Sequence, residues 1–183
     1  TFPNVPISIP KISYHRDKEL LQRWIELSAF TAFFRTHEGN QPDRNIQIDA
    51  DEELLAHFAY FAKIFEHLRP YRRALMKEAS AHGWPVVRHL WLHYPNDPEV
   101  LALELQFMLG AELLVAPVLD PKKTELRLYL PAGNWRHVWT RKLYESKGDW
   151  IRVSAPIGEP PVFALEGSGV DVLLEKASAL RNQ

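Results

Sequence analysis

Mostly apolar side chains recur every three or four residues from Asp17 onward, which is the spacing of one face of an α-helix. Asp17 is a residue type favoured as an N-cap, so we predict a helix over 17–31. The stripe consists of Leu20, Trp24, Leu27 and Thr31, with Leu21, Ile25 and Ser28 on its flank. We expect this stripe, including Trp24, to pack into a core.

A second helical stripe begins after the acidic run 51–53, which places negative charge where a helix N-terminus favours it. Gly83 supplies a C-terminal stop, so we predict one long helix that is kinked near Pro70. Its apolar stripe consists of Leu54, Leu55, Phe58, Phe61, Ala62, Phe65 and Leu68. Between the two helices, Phe33 and Phe34 predict a short strand that leads into a polar loop. This order suits a βα barrel or a doubly wound sheet.

The pattern changes after Gly83 to short runs of β-forming residues separated by turn signals. We predict a small β-sandwich over about 86–175, interrupted by one short helix near 98–108. The runs lie at 86–92, 113–118, 125–130 and 150–153. No internal repeat or Gly/Ser linker occurs, so the boundary near residue 85 is predicted to be a tight junction.

Charge and composition narrow the classes of partner. The chain has 22 Lys plus Arg against 23 Asp plus Glu, which disfavours nucleic acid and an anionic membrane as partners. It has no Cys, which excludes disulfides and thiolate zinc sites. No apolar run is long enough to span a membrane, and the first ten residues lack the features of a secretory signal, which favours a cytoplasmic location.

The histidines and tryptophans do not predict a metal or cofactor site. We expect His89 and His93 to share one face of a strand about 13 Å apart, too far to bind one ion. No His-Glu-x-x-His helix and no phosphate-cradling glycine loop occurs. The six tryptophans are expected to pack mostly into the core. We therefore expect no metal and no cofactor.

Three stretches in order resemble glycoside hydrolase family 31, a family of retaining α-glycosidases. Residues 20–40, which end in Arg-Thr-His-Glu-Gly-Asn at 35–40, are similar to the family's last barrel helix and strand with its sugar-binding histidine. Residues 83–94 resemble the entry into the family's proximal C-terminal β-domain. Residues 106–118, followed by 129–135, complete the likeness. The form of the 35–40 motif resembles the sulfoquinovosidase-like branch rather than typical α-glucosidases.

The resemblance implies a fold of the α/β plus all-β type. Residues 17–85 would be the last helix-strand-helix units of a (β/α)8 barrel, and 86–183 a proximal C-terminal β-sandwich domain. Residues 1–16 match neither part and form an irregular, divergent N-terminal segment, in which prolines at 3, 6 and 10 favour extended backbone.

The resemblance also implies hydrolysis of α-glycosidic bonds, with His37 binding the sugar and Arg35 and Glu38 beside it. An imidazole can bond to sugar hydroxyls through either nitrogen, although His37 could instead tie down the loop 38–45. Glu38 could approach Asp43 or Asp49, but loop acids are usually solvated, so we expect no catalytic carboxylate pair in this chain.

The family's two catalytic aspartates lie upstream of the matched residues, and its Asp-x-Gly-Gly loop has no counterpart at 2–8. Two hypotheses follow. The chain is the C-terminal portion of a longer enzyme and inactive alone, or it is a non-catalytic scaffold or partner-binding subunit. Because the helical stripes of 20–31 and 54–68 would pack on absent barrel units, we expect a missing N-terminal barrel segment, a partner chain or self-association.

Overall fold

The computed structural model describes residues 15–36 and 43–182 of the chain. Three helices come first, and a set of short strands follows. The α-helices are α1 Lys18–Ala29, α2 Glu52–His67, α3 Arg69–His82 and α4 Gly169–Leu174, and the 3-10 turns are Leu90–Leu92, Pro98–Ala102 and Ala177–Asn182. No helix of these described ranges is long and apolar enough to cross a membrane.

Helix α1 begins where the sequence predicts, because the Asp17 side chain accepts a hydrogen bond from the Leu20 amide at 2.8 Å. The predicted packing face is wrong. Leu21, Ile25 and Ala29 are buried, whereas Trp24 is 58% exposed. Apolar residues occupy two sides of this helix, so its periodicity alone fits either face.

The predicted single long helix is two helices. Leu68 lies between α2 and α3, and Pro70 occupies the first turn of α3. Proline lacks the amide hydrogen that an interior position needs, but the first turn leaves that hydrogen unused, so the chain starts a new helix here. Gly83 ends α3 in the left-handed conformation with φ of 76°, as predicted.

The strand predicted at Phe33 and Phe34 does not form, and residues 33–36 have no regular secondary structure. Isolated extended backbone needs a neighbouring strand to bond its amides and carbonyls. In the described part of the chain, every strand pair is antiparallel and none includes these residues.

Eight strands form two antiparallel sheets after α3. They are β1 Val87–Arg88, β2 Phe107–Leu109, β3 Leu113–Val115, β4 Glu125–Leu130, β5 Gly133–His137, β6 Leu143–Ser146, β7 Asp149–Ser154 and β8 Val162–Leu165. The larger sheet has the order β1-β2-β3-β8-β5-β6, and β4 pairs with β7 in the smaller one. Two facing antiparallel sheets agree with the predicted sandwich.

Two predictions within this region need correction. The run 86–92 forms only the two-residue strand β1 and then a 3-10 turn. The helix expected near 98–108 is a 3-10 turn followed by strand β2. Pro98 opens that turn, and the apolar residues after it alternate between the two sides of the sheet instead of following a helical period.

The larger sheet is the middle of three layers. Side chains on one face, such as Leu113 and Val162, join the core of the helices. Side chains on the other face, such as Leu114 and Phe163, pack against β4 and β7. Because strand residues alternate between faces, the same strands serve both cores. The larger sheet therefore packs against the helices on one face and against the smaller sheet on the other.

Candidate functional site

The three predicted sugar-binding residues occur in the sequence between α1 and α2. Arg35 is exposed and follows the half-buried Phe34. His37 and Glu38 lie outside the described residues. Of the acids considered as partners for Glu38, Asp43 and Asp49 are both exposed.

The backbone on both sides of this segment is anchored. Before it, the Thr31 hydroxyl lies 3.0 Å from the Ser28 carbonyl oxygen and 2.7 Å from that of Phe33, which holds the turn at the end of α1. After it, the buried side chain of Asn45 accepts a 2.8 Å hydrogen bond from the Arg16 amide. Sequence reasoning missed Asn45, because an asparagine in a polar loop gives no sign of burial.

The two carboxylates that are buried in the described part of the chain both belong to ion pairs. Glu26 lies 2.9 Å from the Arg23 guanidinium. Asp171 lies 2.7 Å from that of Arg141 and 3.2 Å from that of Arg136. Both side chains are almost fully buried, at 1% and 5% exposed, and their oxygens are occupied by arginine, so neither presents an oxygen to a substrate. Neither residue suits catalysis of glycoside hydrolysis.

Arg23 and Glu26 instead fasten α1 to the β region. Besides Glu26, the Arg23 guanidinium donates to the carbonyls of Lys123, Ala155 and Pro156 at 2.9, 2.8 and 3.2 Å. The second oxygen of Glu26 accepts a 2.6 Å bond from the Gly158 amide. Sequence reasoning missed this cluster, because an Arg and a Glu three residues apart on a helix normally mark a solvated face.

The predicted strand face with His89 and His93 does not exist. His89 precedes a 3-10 turn, and its Nδ1 accepts from the Trp91 amide at 3.1 Å. The ring of His93 stacks on Trp84 at 5.9 Å. Burial, and then the nearby positive charge of Arg88, lower the pKa of His93. Within residues 15–36 and 43–182 no group of three or more His, Asp and Glu side chains is placed to hold a metal ion.

The prediction that most tryptophans are core residues is also wrong. Trp135 and Trp139 are buried, but Trp24, Trp84, Trp91 and Trp150 are between 37% and 58% exposed. Trp150 has polar partners that keep it at the surface, since its indole donates to Glu99 at 3.0 Å and Arg127 lies over its ring at 4.4 Å.

The fold and these side chains define a class: a β-rich domain with attached helices, in which both buried carboxylates of the described residues are paired with arginine. Comparison with known proteins identifies the family. Residues 83–170 match the glycosyl hydrolase family 31 C-terminal domain, and the chain belongs to this family. The resemblance seen in the sequence is confirmed.

Relatives of the chain include two sulfoquinovosidases. That of Escherichia coli K12 is 46% identical over 148 residues, which are 81% of this chain and 22% of the relative. That of Agrobacterium fabrum C58 is 46% identical over 162 residues, which are 88% of this chain and 24% of the relative. A family 31 sulfoquinovosidase from E. rectale, solved with an aza-sugar inhibitor, superposes with a TM-score of 0.87 at 36% identity, over 91% of this chain and 25% of that one. The chain thus spans about a quarter of the length of these relatives.

Proposed function

We propose that this chain works as the C-terminal part of a retaining α-glycoside hydrolase of the sulfoquinovosidase or α-glucosidase type. The observation that carries the proposal is the 46% identity with two sulfoquinovosidases over more than four fifths of the chain. In this proposal residues 17–85 complete a (β/α)8 barrel, 86–183 form the domain that braces it, and 1–16 are a divergent connecting segment.

The chain would contribute sugar binding and not bond cleavage. Arg35, His37 and Glu38 would contact the α-glycoside, and the aspartate pair that cleaves the bond would come from outside these residues. The buried carboxylates Glu26 and Asp171 support this division, because both are already paired with arginine. We therefore expect the chain alone to be inactive.

The outer face of α1 supports a barrel segment as the partner. Leu20, Trp24 and Leu27 line a groove of about 310 Å³ whose other wall includes Val118 and Leu119. The opposite face of the same helix is already buried. A helix that is apolar on two sides is normally covered on both, so the groove would receive the missing N-terminal barrel segment. A partner chain and self-association are the other outcomes to be tested.

The test compares the chain alone with the chain mixed with the part of E. coli sulfoquinovosidase that it does not match. Substrates are 4-nitrophenyl α-sulfoquinovoside and 4-nitrophenyl α-glucoside. We expect no turnover alone and measurable turnover in the mixture, lost with His37→Ala and reduced with Arg35→Ala. Arg73→Ala is the control, because Arg73 is an exposed arginine on α3.

The second candidate is a non-catalytic scaffold or partner-binding subunit derived from such an enzyme. The same apolar groove beside Trp24 favours it, since a docking surface needs no catalytic residue. Absence of turnover in the mixture, together with stable binding of the barrel portion through this groove, would favour the scaffold over the enzyme.

A further inference from the structure

Phe33 and Phe34 are neighbours in sequence with opposite environments. Phe33 is 78% exposed, whereas Phe34 is half-buried and packs on the core of the helices. The turn fixed by Thr31 immediately precedes them, so the chain enters residues 33–36 in a defined direction. Phe34 is thus the side chain that attaches this irregular segment to the helices.

The ring of Phe34 lies between two rings of α2. It stacks on Phe58 at 5.3 Å with an interplanar angle of 19°, and on Phe65 at 5.4 Å with an angle of 25°. Phe58 and Phe65 are seven residues apart, which is two helical turns and about 10.5 Å of rise. That spacing leaves room for one aromatic ring between them, so α2 provides a clamp of the right width.

Arg72 supports the far side of this clamp. Its guanidinium lies 3.4 Å from the centre of the Phe65 ring and donates to the Phe65 carbonyl oxygen. Arg72 is only 4% exposed. Because a buried cation over the ring restricts it, Phe65 is a fixed wall for Phe34.

We propose that Phe34 is a positioning residue for sugar binding: its ring, clamped between Phe58 and Phe65, fixes the backbone that carries Arg35. The inference rests on the proposed function, because the place of Arg35 matters only if Arg35 meets the sugar. None of the strand pairs in residues 15–36 and 43–182 includes residues 33–36. The clamp replaces strand pairing as the device that orders this backbone.

A core role for Phe34 would affect only stability, so the test needs a local readout. The variant Phe34→Leu keeps an apolar side chain and removes the stacking, and Phe34→Tyr restores a ring. The matched control is Phe107→Leu, because Phe107 is also half-buried against the same core but lies on strand β2.

The first measurement is the backbone amide order parameter of Arg35 and Thr36 in the chain alone, by nuclear magnetic resonance. In Phe34→Leu we expect a fall from the rigid range of about 0.85 to below about 0.6, with no change in Phe107→Leu and recovery in Phe34→Tyr. If Phe34→Leu fails to fold, Phe65→Leu opens the clamp from its other side. Unchanged order parameters, or an equal fall in Phe107→Leu, would overturn the proposal.

The second measurement uses the mixture with the E. coli barrel portion and 4-nitrophenyl α-sulfoquinovoside. Phe34→Leu should raise KM about tenfold with kcat changed less than about twofold, because misplaced binding groups weaken substrate and transition state alike. An unchanged KM in an active mixture contradicts the inference. If the unsubstituted mixture is inactive, the proposed function fails, and the order parameters decide only whether the Phe34 ring orders the backbone of Arg35 and Thr36.

Discussion

His137 illustrates how burial of one side chain makes stability depend on pH. It is 4% exposed, and its Nδ1 accepts from the Thr140 amide at 3.3 Å and lies 2.9 Å from the Thr140 hydroxyl oxygen. The Nε2 atom is buried and finds no hydrogen-bond partner within the described residues. Burial lowers the pKa of His137 to about 4 from its usual 6.5. The folded protein therefore holds this imidazole neutral where the unfolded chain is protonated.

The expected consequence is a loss of stability in acid. Between the two pKa values the unfolded chain binds up to one more proton at this residue. His137 therefore lowers the free energy of unfolding by up to about 1.4 kcal/mol per pH unit as the pH drops from 6.5 towards 4. Urea unfolding at pH 7.0, 6.0 and 5.0 measures the slope. His137→Phe should flatten it, whereas His82→Gln, at an exposed position on α3, should leave it unchanged. An equal slope in His137→Phe and the unsubstituted chain would refute this assignment.

Single residues were predictable where one local bond decides their role. Asp17 is an N-cap because its carboxylate meets the Leu20 amide, and Gly83 ends α3 because glycine accepts a positive φ. Trp24 was not predictable. Its helix is apolar on both sides, and the choice of face depends on residues more than a hundred positions away, such as Gly158.

At the scale of elements, the cluster of Arg23 and Glu26 decides how α1 lies on the β region. Glu26 is 1% exposed, and both of its oxygens have partners. Removing Arg23 takes the arginine away from a buried ion pair and leaves the carbonyls of Lys123 and Ala155 without this donor. Breaking a buried pair in this way costs about 3 to 5 kcal/mol. We expect Arg23→Ala to lower the free energy of unfolding by about this amount.

The matched control is the exposed ion pair of Arg152 and Glu125, whose side chains are 73% and 58% exposed. Arg152→Ala should cost less than about 1 kcal/mol, because water screens the charges. Urea denaturation of both variants gives the comparison. A cost for Arg23→Ala as small as that for Arg152→Ala would show that the cluster does not fasten α1.

A helix or strand could be predicted from the sequence where its own pattern of apolar and polar residues is enough to identify it. Strand β4 spans Glu125–Leu130 as the alternation indicates. The strand expected at 33–34 failed because a strand depends on a partner, which the described residues do not provide. The sequence predicts a kink where the structure has a break at Leu68. A proline occurs in the first turn of a helix as well as at a kink inside one, so the sequence alone fits both.

At the scale of the whole molecule, packing of the three layers buries most of the apolar side chains of the helical stripes. Leu54, Phe61 and Leu68 are fully buried against the sheet and the C-terminal residues. The β region covers these positions. Leu55 on α2 stays 48% exposed, and Trp24 stays 58% exposed on the outer face of α1.

A charge placed at Trp24 separates folding from assembly at the outer face of α1. Trp24 is 58% exposed, so Trp24→Glu should change the free energy of unfolding of the chain by less than about 0.5 kcal/mol. The same substitution would place a carboxylate in a groove whose lining already includes the acids Asp17, Glu19 and Asp120. If the groove receives the apolar surface of a barrel segment, this buried, unpaired charge should weaken the complex at least about tenfold.

The measurement is titration of the chain with the barrel portion of E. coli sulfoquinovosidase, followed by light scattering and by recovered hydrolysis. Val172→Glu is the control, because Val172 is 66% exposed on α4 and does not line the groove. Equal affinities of the two variants for the barrel portion would show that the interface does not lie at this groove. A strong loss of stability in Trp24→Glu would instead show that the chain covers this face itself and that α1 needs no partner there.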